Sequence, residues 1–161
     1  MYGDKKFIRK CKESGVDGLI VVDLSFPDNK NFAKLCKRNS ICFVQLIAPT
    51  TTLKRMKKII KSSHEMIYMI STISTTGSAL KYSIKKIINN YNIIKRIKPS
   101  KNVVIGFGIT DKTISNLKSA DGLVVGSAIC REITRSLKHR QNPVTNVSRL
   151  VRKLKKKIIW I

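Results

Sequence analysis

Two stretches of this chain, Val103-Val104-Ile105-Gly106-Phe107-Gly108-Ile109 and Leu123-Val124-Val125-Gly126-Ser127-Ala128-Ile129, decide its fold. In each, a short apolar run ends at glycine and a helical pattern follows, which predicts a strand, a tight turn and a helix. Glycine lets the backbone approach a bound group closely, and the first N–H groups of a helix can bind a phosphate. In (β/α)₈ barrels, the loops after strands seven and eight form the usual phosphate site.

Apolar runs with helical patterns between them extend along the rest of the chain. This alternation predicts an α/β fold with a parallel sheet. Apolar spacings of three, four and seven predict the helices, and Gly15 is expected just after the first of them. The predicted strands are residues 18–22, 41–47, 66–70, 103–106 and 122–125.

The number of strands falls short of a closed barrel. Eight strands and typically about 250 residues are needed, whereas this chain has 161 residues and five predicted strands. A single short helix is predicted before the first strand, so the deficit corresponds to three N-terminal βα units. The sequence therefore predicts one incomplete TIM-barrel domain over residues 1–161, with five parallel strands and outer helices.

The charge of the chain is strongly positive. Thirty-three Lys and Arg against nine Asp and Glu give a formal net charge of +24, which raises nucleic-acid binding as a hypothesis. The lysines, however, lie on the polar faces of predicted helices, and the abundance of Lys, Asn and Ile is typical of an AT-rich coding sequence. Only residues 149–157 are concentrated enough to suggest a polyanion site, and the spacing of Leu150, Val151, Leu154 and Ile158 also describes a packed helix. Nucleic-acid binding is therefore the disfavoured interpretation.

Cysteine and histidine indicate no metal site. Cys11, Cys36, Cys42 and Cys130 form no C-x-x-C pair and fall in apolar helix faces or strands, so we expect reduced, buried thiols in a cytoplasmic protein. His64-Glu65 resembles half of a zinc-protease motif, but Tyr68 stands where the second histidine belongs. His139 is expected at the surface. We expect neither a signal peptide nor a membrane span, because no apolar run approaches about 18 residues.

Five motifs follow one another in a fixed order, at residues 15–24, 46–51, 68–77, 106–109 and 121–129. From about residue 1 to 133, the chain closely resembles the tryptophan synthase alpha chain, and the resemblance places it on barrel strands four to eight. Each motif alone is weak, whereas their shared order and spacing are specific.

The resemblance implies an activity and a partner. Members of the family are lyases of tryptophan biosynthesis, which cleave indole-3-glycerol phosphate by a retro-aldol step to indole and glyceraldehyde 3-phosphate. They pass the indole to a beta chain that holds pyridoxal phosphate, in a heterotetramer, so no cofactor is expected in this chain. The implied phosphate-binding residues are Gly77, Gly108, Gly126 and Ser127, and those lining the substrate pocket are Ile20, Tyr68, Thr76 and Phe107. Asp23 matches a position at the partner interface, although local capping is an equal alternative.

The residues that do the chemistry in the family have no counterpart here. A glutamate and an aspartate act as acid and base in the family, and both would precede this portion of the barrel, so no catalytic residue is predicted. Ser25-Phe26-Pro27 has one proline fewer than the family pattern, and Ser74 replaces a loop glycine. Three hypotheses remain open: a truncated lyase subunit, a non-catalytic remnant or beta-binding chain, and a basic nucleic-acid-associated protein.

Overall fold

A computed structural model describes residues 2–71, 73–75, 78–80, 83–106, 109 and 113–158. Helices and strands alternate along most of this length. The helices are α1 (Asp4–Glu13), α2 (Lys30–Arg38), α3 (Leu53–Ser62), α4 (Ile84–Ile97), α5 (Ser127–Lys138) and α6 (Pro143–Lys156), with a 3₁₀ helix at Ile114–Leu117. The strands are β1 (Gly18–Leu19), β2 (Cys42–Phe43), β3 (Gln45–Ile47), β4 (Met66–Ile70), β5 (Ile73–Thr75), β6 (Ser78–Leu80), β7 (Asn102–Gly106) and β8 (Gly122–Val124).

The main sheet is parallel and follows the order β3-β4-β7-β8. Ile70 and Val124 both lie level with Gly106, so β4, β7 and β8 end at the same edge. β1 pairs in parallel with β2 in a separate two-stranded sheet. Only Val44 separates β2 from β3, and its N–H donates to the carbonyl of Leu19 at 2.9 Å. The predicted α/β fold with parallel strands is confirmed.

Three details differ from the sequence prediction. The first strand is limited to Gly18–Leu19, and the second is interrupted at Val44 because that residue pairs with β1 and not with β4. In addition, β5 and β6 form an antiparallel hairpin in the connection after β4. The alternating pattern did not indicate this hairpin, because its residues follow a buried strand without a separate apolar run.

Local sequence signals set several helix ends. Thr52 and Ser83 accept hydrogen bonds from the N–H groups of Arg55 and Lys86 and so cap α3 and α4. Asn142 caps α6 by accepting from two backbone N–H groups, with Pro143 in the first helical position. Gly15 has φ 72° just after α1, the left-handed geometry that glycine adopts most easily.

Two apolar clusters cover one side of the strands. Alternate residues of β3, β4 and β7 face α3, α4 and α6, because side chains in a strand alternate between faces. The larger cluster includes Ile47, Met56, Ile59, Ile67, Met69, Ile87, Ile94, Val103, Ile105 and Leu154. The smaller one joins α1, α2 and β2 through Ile8, Cys11, Phe32, Cys36 and Phe43.

Some apolar side chains near the strand ends are exposed. Ile20 is 49% exposed, Val22 69% and Val124 40%. These apolar side chains lie at or just after strand ends, where a closed fold would bury them. In the described part of the chain, no helix is long and apolar enough to cross a membrane.

Candidate functional site

Tyr68 and Gly106 are in close contact at the carboxyl end of the sheet. A Cβ added to Gly106 would overlap the Tyr68 hydroxyl and ring, so a larger residue there would force the buried tyrosine to shift. Ser71, which follows β4, donates to the Gly106 carbonyl from both its N–H (2.9 Å) and its Oγ (2.7 Å). Gly106, the last residue of β7, is therefore in contact with two residues at the end of β4, Tyr68 and Ser71.

Tyr68 is a buried residue of β4 with a raised pKa. It is 9% exposed, and burial raises the pKa of its hydroxyl above the usual value. The phenol therefore stays protonated at neutral pH and can donate a hydrogen bond or present an apolar ring edge. Both properties suit a pocket for an aromatic substrate.

Gly126 and Ser127 form the start of α5, two and three residues after β8. The Gly126 carbonyl accepts from the N–H groups of Ile129 (2.9 Å) and Cys130 (3.1 Å). The N–H groups of Ser127 and Ala128 have no acceptor inside the helix, as in any first turn. A Cβ on Gly126 would meet no described atom within 4 Å, and φ is −109°. Neither packing against the described residues nor backbone conformation thus demands glycine here, and none of the described atoms fills the space beside it.

The other predicted site residues are distributed as follows. Thr76, Gly77, Phe107 and Gly108 lie outside the described residues. Ile20 follows β1 and is half exposed, and Asp23 is exposed in the turn after it. The Asp23 carboxylate makes no hydrogen bond or ion pair with a described residue, so the structure gives no support to local capping.

A cleft of about 540 Å³ lies beneath the loop that contains Asp23. Two fully buried amides line it: Asn29 Nδ2 donates to Gln45 Oε1 at 2.9 Å and to the Leu24 carbonyl at 3.2 Å. Arg55 closes the loop from α3 by donating to the Phe26 carbonyl at 2.6 Å. These side chains determine the shape of the loop, and none of them was singled out from the sequence, because each acts through a residue at least five positions away.

Polar contacts at the amino ends of the strands stabilise the opposite edge. Lys101, 8% exposed, donates from Nζ to the carbonyls of Ser63 and His64, and its burial and then the nearby Lys98 lower its pKa. His64 Nδ1 accepts from the Phe43 N–H at 3.0 Å. In (β/α)₈ barrels this edge contributes to stability while ligands bind at the other, and we interpret these contacts as structural.

Asp121 connects α4 to the first residues of β7 and β8. It accepts from the Val103 N–H at 2.8 Å, from Lys95 at 3.0 Å and from Tyr91 at 3.2 Å. Burial by itself raises its pKa, but the three hydrogen bonds and the Lys95 charge outweigh it, so the pKa lies below its usual value. Burial, followed by the Asp121 charge, raises the pKa of Tyr91 to about 12.

The cysteine prediction is wrong for one residue. All four are free thiols; Cys11 and Cys36 are buried and Cys42 is partly buried, but Cys130 is exposed. The only buried residue of α5 is Ser136, and the helix turns Cys130, together with Ile133 and Leu137, towards solvent. The described residues contain no group of three or more His, Cys, Asp or Glu that could hold a metal ion.

Sequence comparison gives the family of this fold. The family model described as "Tryptophan synthase alpha chain" matches residues 1–159. The chain belongs to the tryptophan synthase alpha chain family. The tryptophan synthase alpha chain of Pelagibacter ubique is 63% identical over 157 residues, which are 98% of this chain and 59% of that protein.

Solved structures agree with this assignment. Tryptophan synthase subunit alpha from Campylobacter jejuni has a TM-score of 0.70 at 28% identity, covering 91% of this chain and 56% of that one. The crystal structure of the alpha subunit from Legionella pneumophila has a TM-score of 0.79 at 24% identity, covering 98% of this chain and 57% of that one, and shows the fold alone. This tryptophan synthase alpha family chain thus spans little more than half the length of the relatives it matches.

Proposed function

We propose that this chain forms the phosphate-binding portion of a tryptophan synthase alpha barrel, which cleaves indole-3-glycerol phosphate to indole and glyceraldehyde 3-phosphate. One observation carries the proposal. β4, β7 and β8 end at a common edge, where Tyr68 packs on Gly106 and α5 begins with open space in front of Gly126. An aromatic wall and a free helix N-terminus are what an indole joined to a phosphate needs.

The residues divide between the two ends of the substrate. Gly126 and Ser127, together with Gly77 and Gly108, would hold the phosphate through backbone N–H groups and the Ser127 hydroxyl. Tyr68 would line the indole pocket with Ile20, Thr76 and Phe107. Asp23 would lie at the interface with a beta chain, which carries the pyridoxal phosphate, so this chain needs no cofactor of its own.

The proposed architecture is part of a (β/α)₈ barrel, with β1 and β8 at its open sides. The exposure of Ile20, Val22 and Val124 supports this proposal, since three further βα units would cover these side chains. Cleavage requires a proton donor at the indole ring and a base at the glycerol hydroxyl, each contributing typically 10²- to 10⁴-fold. In the family these are the glutamate and aspartate of the preceding units.

Two measurements test the proposal. Calorimetric titration of the purified chain should detect glycerol 3-phosphate but not glycerol, and Gly126→Val should weaken that binding at least tenfold while leaving the circular dichroism spectrum unchanged. Equal binding of both ligands, or no effect of Gly126→Val, would contradict the phosphate site.

The second measurement is indole release from indole-3-glycerol phosphate, with and without a beta chain. We expect no cleavage at an enzymatic rate by the 161 residues alone, and cleavage when the preceding units of the Pelagibacter ubique relative are fused to them. Indole release by the unfused chain that depends on Asp23 would contradict the assignment of the acid and base to the preceding βα units.

A further inference from the structure

A strongly basic groove lies between α3 and the loop that precedes α2. Lys54, Lys58 and Lys61 form one side, and Phe26, Pro27 and Lys30 form the other; we call these six residues the basic groove. No acidic residue lines it. The groove shares Phe26 and Arg55 with the cleft that lies beneath the Asp23 loop, so it is continuous with the surface proposed above as a partner interface.

The side of the groove formed by Phe26, Pro27 and Lys30 is held in place by contacts that do not involve the α3 lysines. Arg55 donates to the Phe26 carbonyl at 2.6 Å and to the Ser25 hydroxyl at 3.4 Å. Lys30 Nζ lies 5.3 Å from the centre of the Phe26 ring, a cation–π contact, and Phe26 packs against the larger core cluster. The groove is therefore a preformed shape, and changes at the α3 lysines should leave it in place.

Three lysines of α3 form a row of positive charge, and no described acidic residue forms an ion pair with them. Lys54, Lys58 and Lys61 are exposed on one face of the helix, with axial steps of about 6 and 4.5 Å from the rise of 1.5 Å per residue. None of the ion pairs in the described part of the chain includes them. Like charges at these spacings destabilise a helix, so an anionic partner would relieve the repulsion.

The neighbouring surface favours a protein as that partner. Leu53, next to Lys54, is 51% exposed, and Val22 in the adjoining cleft is 69% exposed. Exposed apolar side chains beside a charged strip are typical of protein interfaces, whereas nucleic-acid footprints are more polar. An extended peptide places alternate side chains about 6.6 Å apart, close to the step from Lys54 to Lys58.

We propose that the basic groove binds an acidic segment of the tryptophan synthase beta chain. This inference rests on the proposed function for the existence of that partner, and it adds a second contact beside the Asp23 loop. Charge complementarity of this kind increases the association rate and selects the partner.

The test compares three triple variants with the wild-type chain in titrations of the beta chain from the same organism. Lys54→Gln, Lys58→Gln and Lys61→Gln together should weaken the affinity about tenfold at low salt and flatten its salt dependence, because each exposed ion pair contributes little alone. Arg at the same three positions should keep wild-type affinity. The matched control is Arg152→Gln, Lys155→Gln and Lys156→Gln on α6, which removes equal charge and should change the affinity less than twofold.

The outcomes separate this inference from the function on which it rests. If the wild-type chain binds the beta chain and the groove variant binds equally well, the basic groove proposal alone is wrong. If the wild-type chain fails to bind, the proposed partner is wrong and the groove proposal falls with it. If the groove variant loses a single-stranded oligonucleotide while keeping the beta chain, the groove is a nucleic-acid site and the proposal is overturned.

Discussion

The hydroxyl of Tyr68 occupies the position that a Cβ on Gly106 would need. The two residues lie on neighbouring parallel strands, and Ile70, two residues after Tyr68, is level with Gly106. The Tyr68 side chain thus extends towards the carboxyl end of its strand and lies over the backbone of β7 at Gly106. This contact fixes the end of β7 against β4 at the carboxyl edge of the sheet.

A side chain at position 106 should therefore be costly. We expect Gly106→Ala to lower the free energy of unfolding by about 1–3 kcal/mol, as for overpacking of a filled core, and urea denaturation measures it. Gly126→Ala is the matched control, since its Cβ would enter open space, and should change stability much less. Equal effects of the two substitutions would mean that Tyr68 does not lie over Gly106.

His64 should make the stability depend on pH near neutrality. Burial first, then the charges of Lys37 and Lys101, lower its pKa below 6.5, so the unfolded chain binds the proton more readily than the folded one. The contribution of neutral His64 to the free energy of unfolding should be fully present above about pH 6.5. It should be lost as the pH falls from there through the pKa of His64 in the folded state. Urea denaturation between pH 8 and 5 should show a smaller pH effect on the stability of His64→Gln than on that of the wild type. The same pH dependence in both proteins would contradict a role for His64. His139→Gln, at an exposed position, is the control.

Asp121 should contribute stability until the pH becomes strongly acidic. We expect Asp121→Asn to cost about 1–3 kcal/mol at pH 7, because the contact with Lys95 weakens and the amide cannot accept from all three donors equally well. Because the folded pKa lies below 3.8, the difference between wild type and variant should disappear only as the pH falls below about 4. Thermal unfolding measures it, with exposed Asp28→Asn as the control expected to be neutral.

The thiols should differ in reactivity. Cys130 is exposed, whereas Cys36 is fully buried and its pKa is raised to about 11, chiefly by that burial. Iodoacetamide under native conditions, followed by mass spectrometry, should label Cys130 first and Cys36 only after unfolding. Cys130→Ser should remove the fast phase, and rapid labelling of Cys36 would contradict the packing of α1 on α2.

The sequence predicted the alternation of helices and parallel strands because each main strand carries its own apolar run. Met66–Ile70 has the predicted bounds, since both of its faces are covered. The break at Val44 and the hairpin formed by β5 and β6 were not predictable in this way, because they depend on which neighbouring strand a backbone group meets.

The sequence predicted the candidate site from glycines that follow apolar runs, and it did not indicate the packing contacts around those glycines. Glycine after an apolar run indicated the turns at residues 106 and 126, but not that position 106 needs glycine because of Tyr68. Arg55 on the Phe26 carbonyl joins residues 29 positions apart, and Lys101 meets the His64 carbonyl across 37 positions. No local pattern marks such contacts.

The single buried side chain of α5 has a consequence for hydrogen exchange. Ser136 is fully buried, donates to the Glu132 carbonyl and accepts from Asn146 of α6. These contacts hold the later turns of α5, whereas its first turn contains no buried residue. Amide protons near Ser127 should then exchange through local opening that leaves the rest of the molecule folded. An anion bound at the first turn would suppress this local opening. The hydrogen-exchange protection factor of the first-turn amides would then report both the order of the helix at this end and the affinity for the anion.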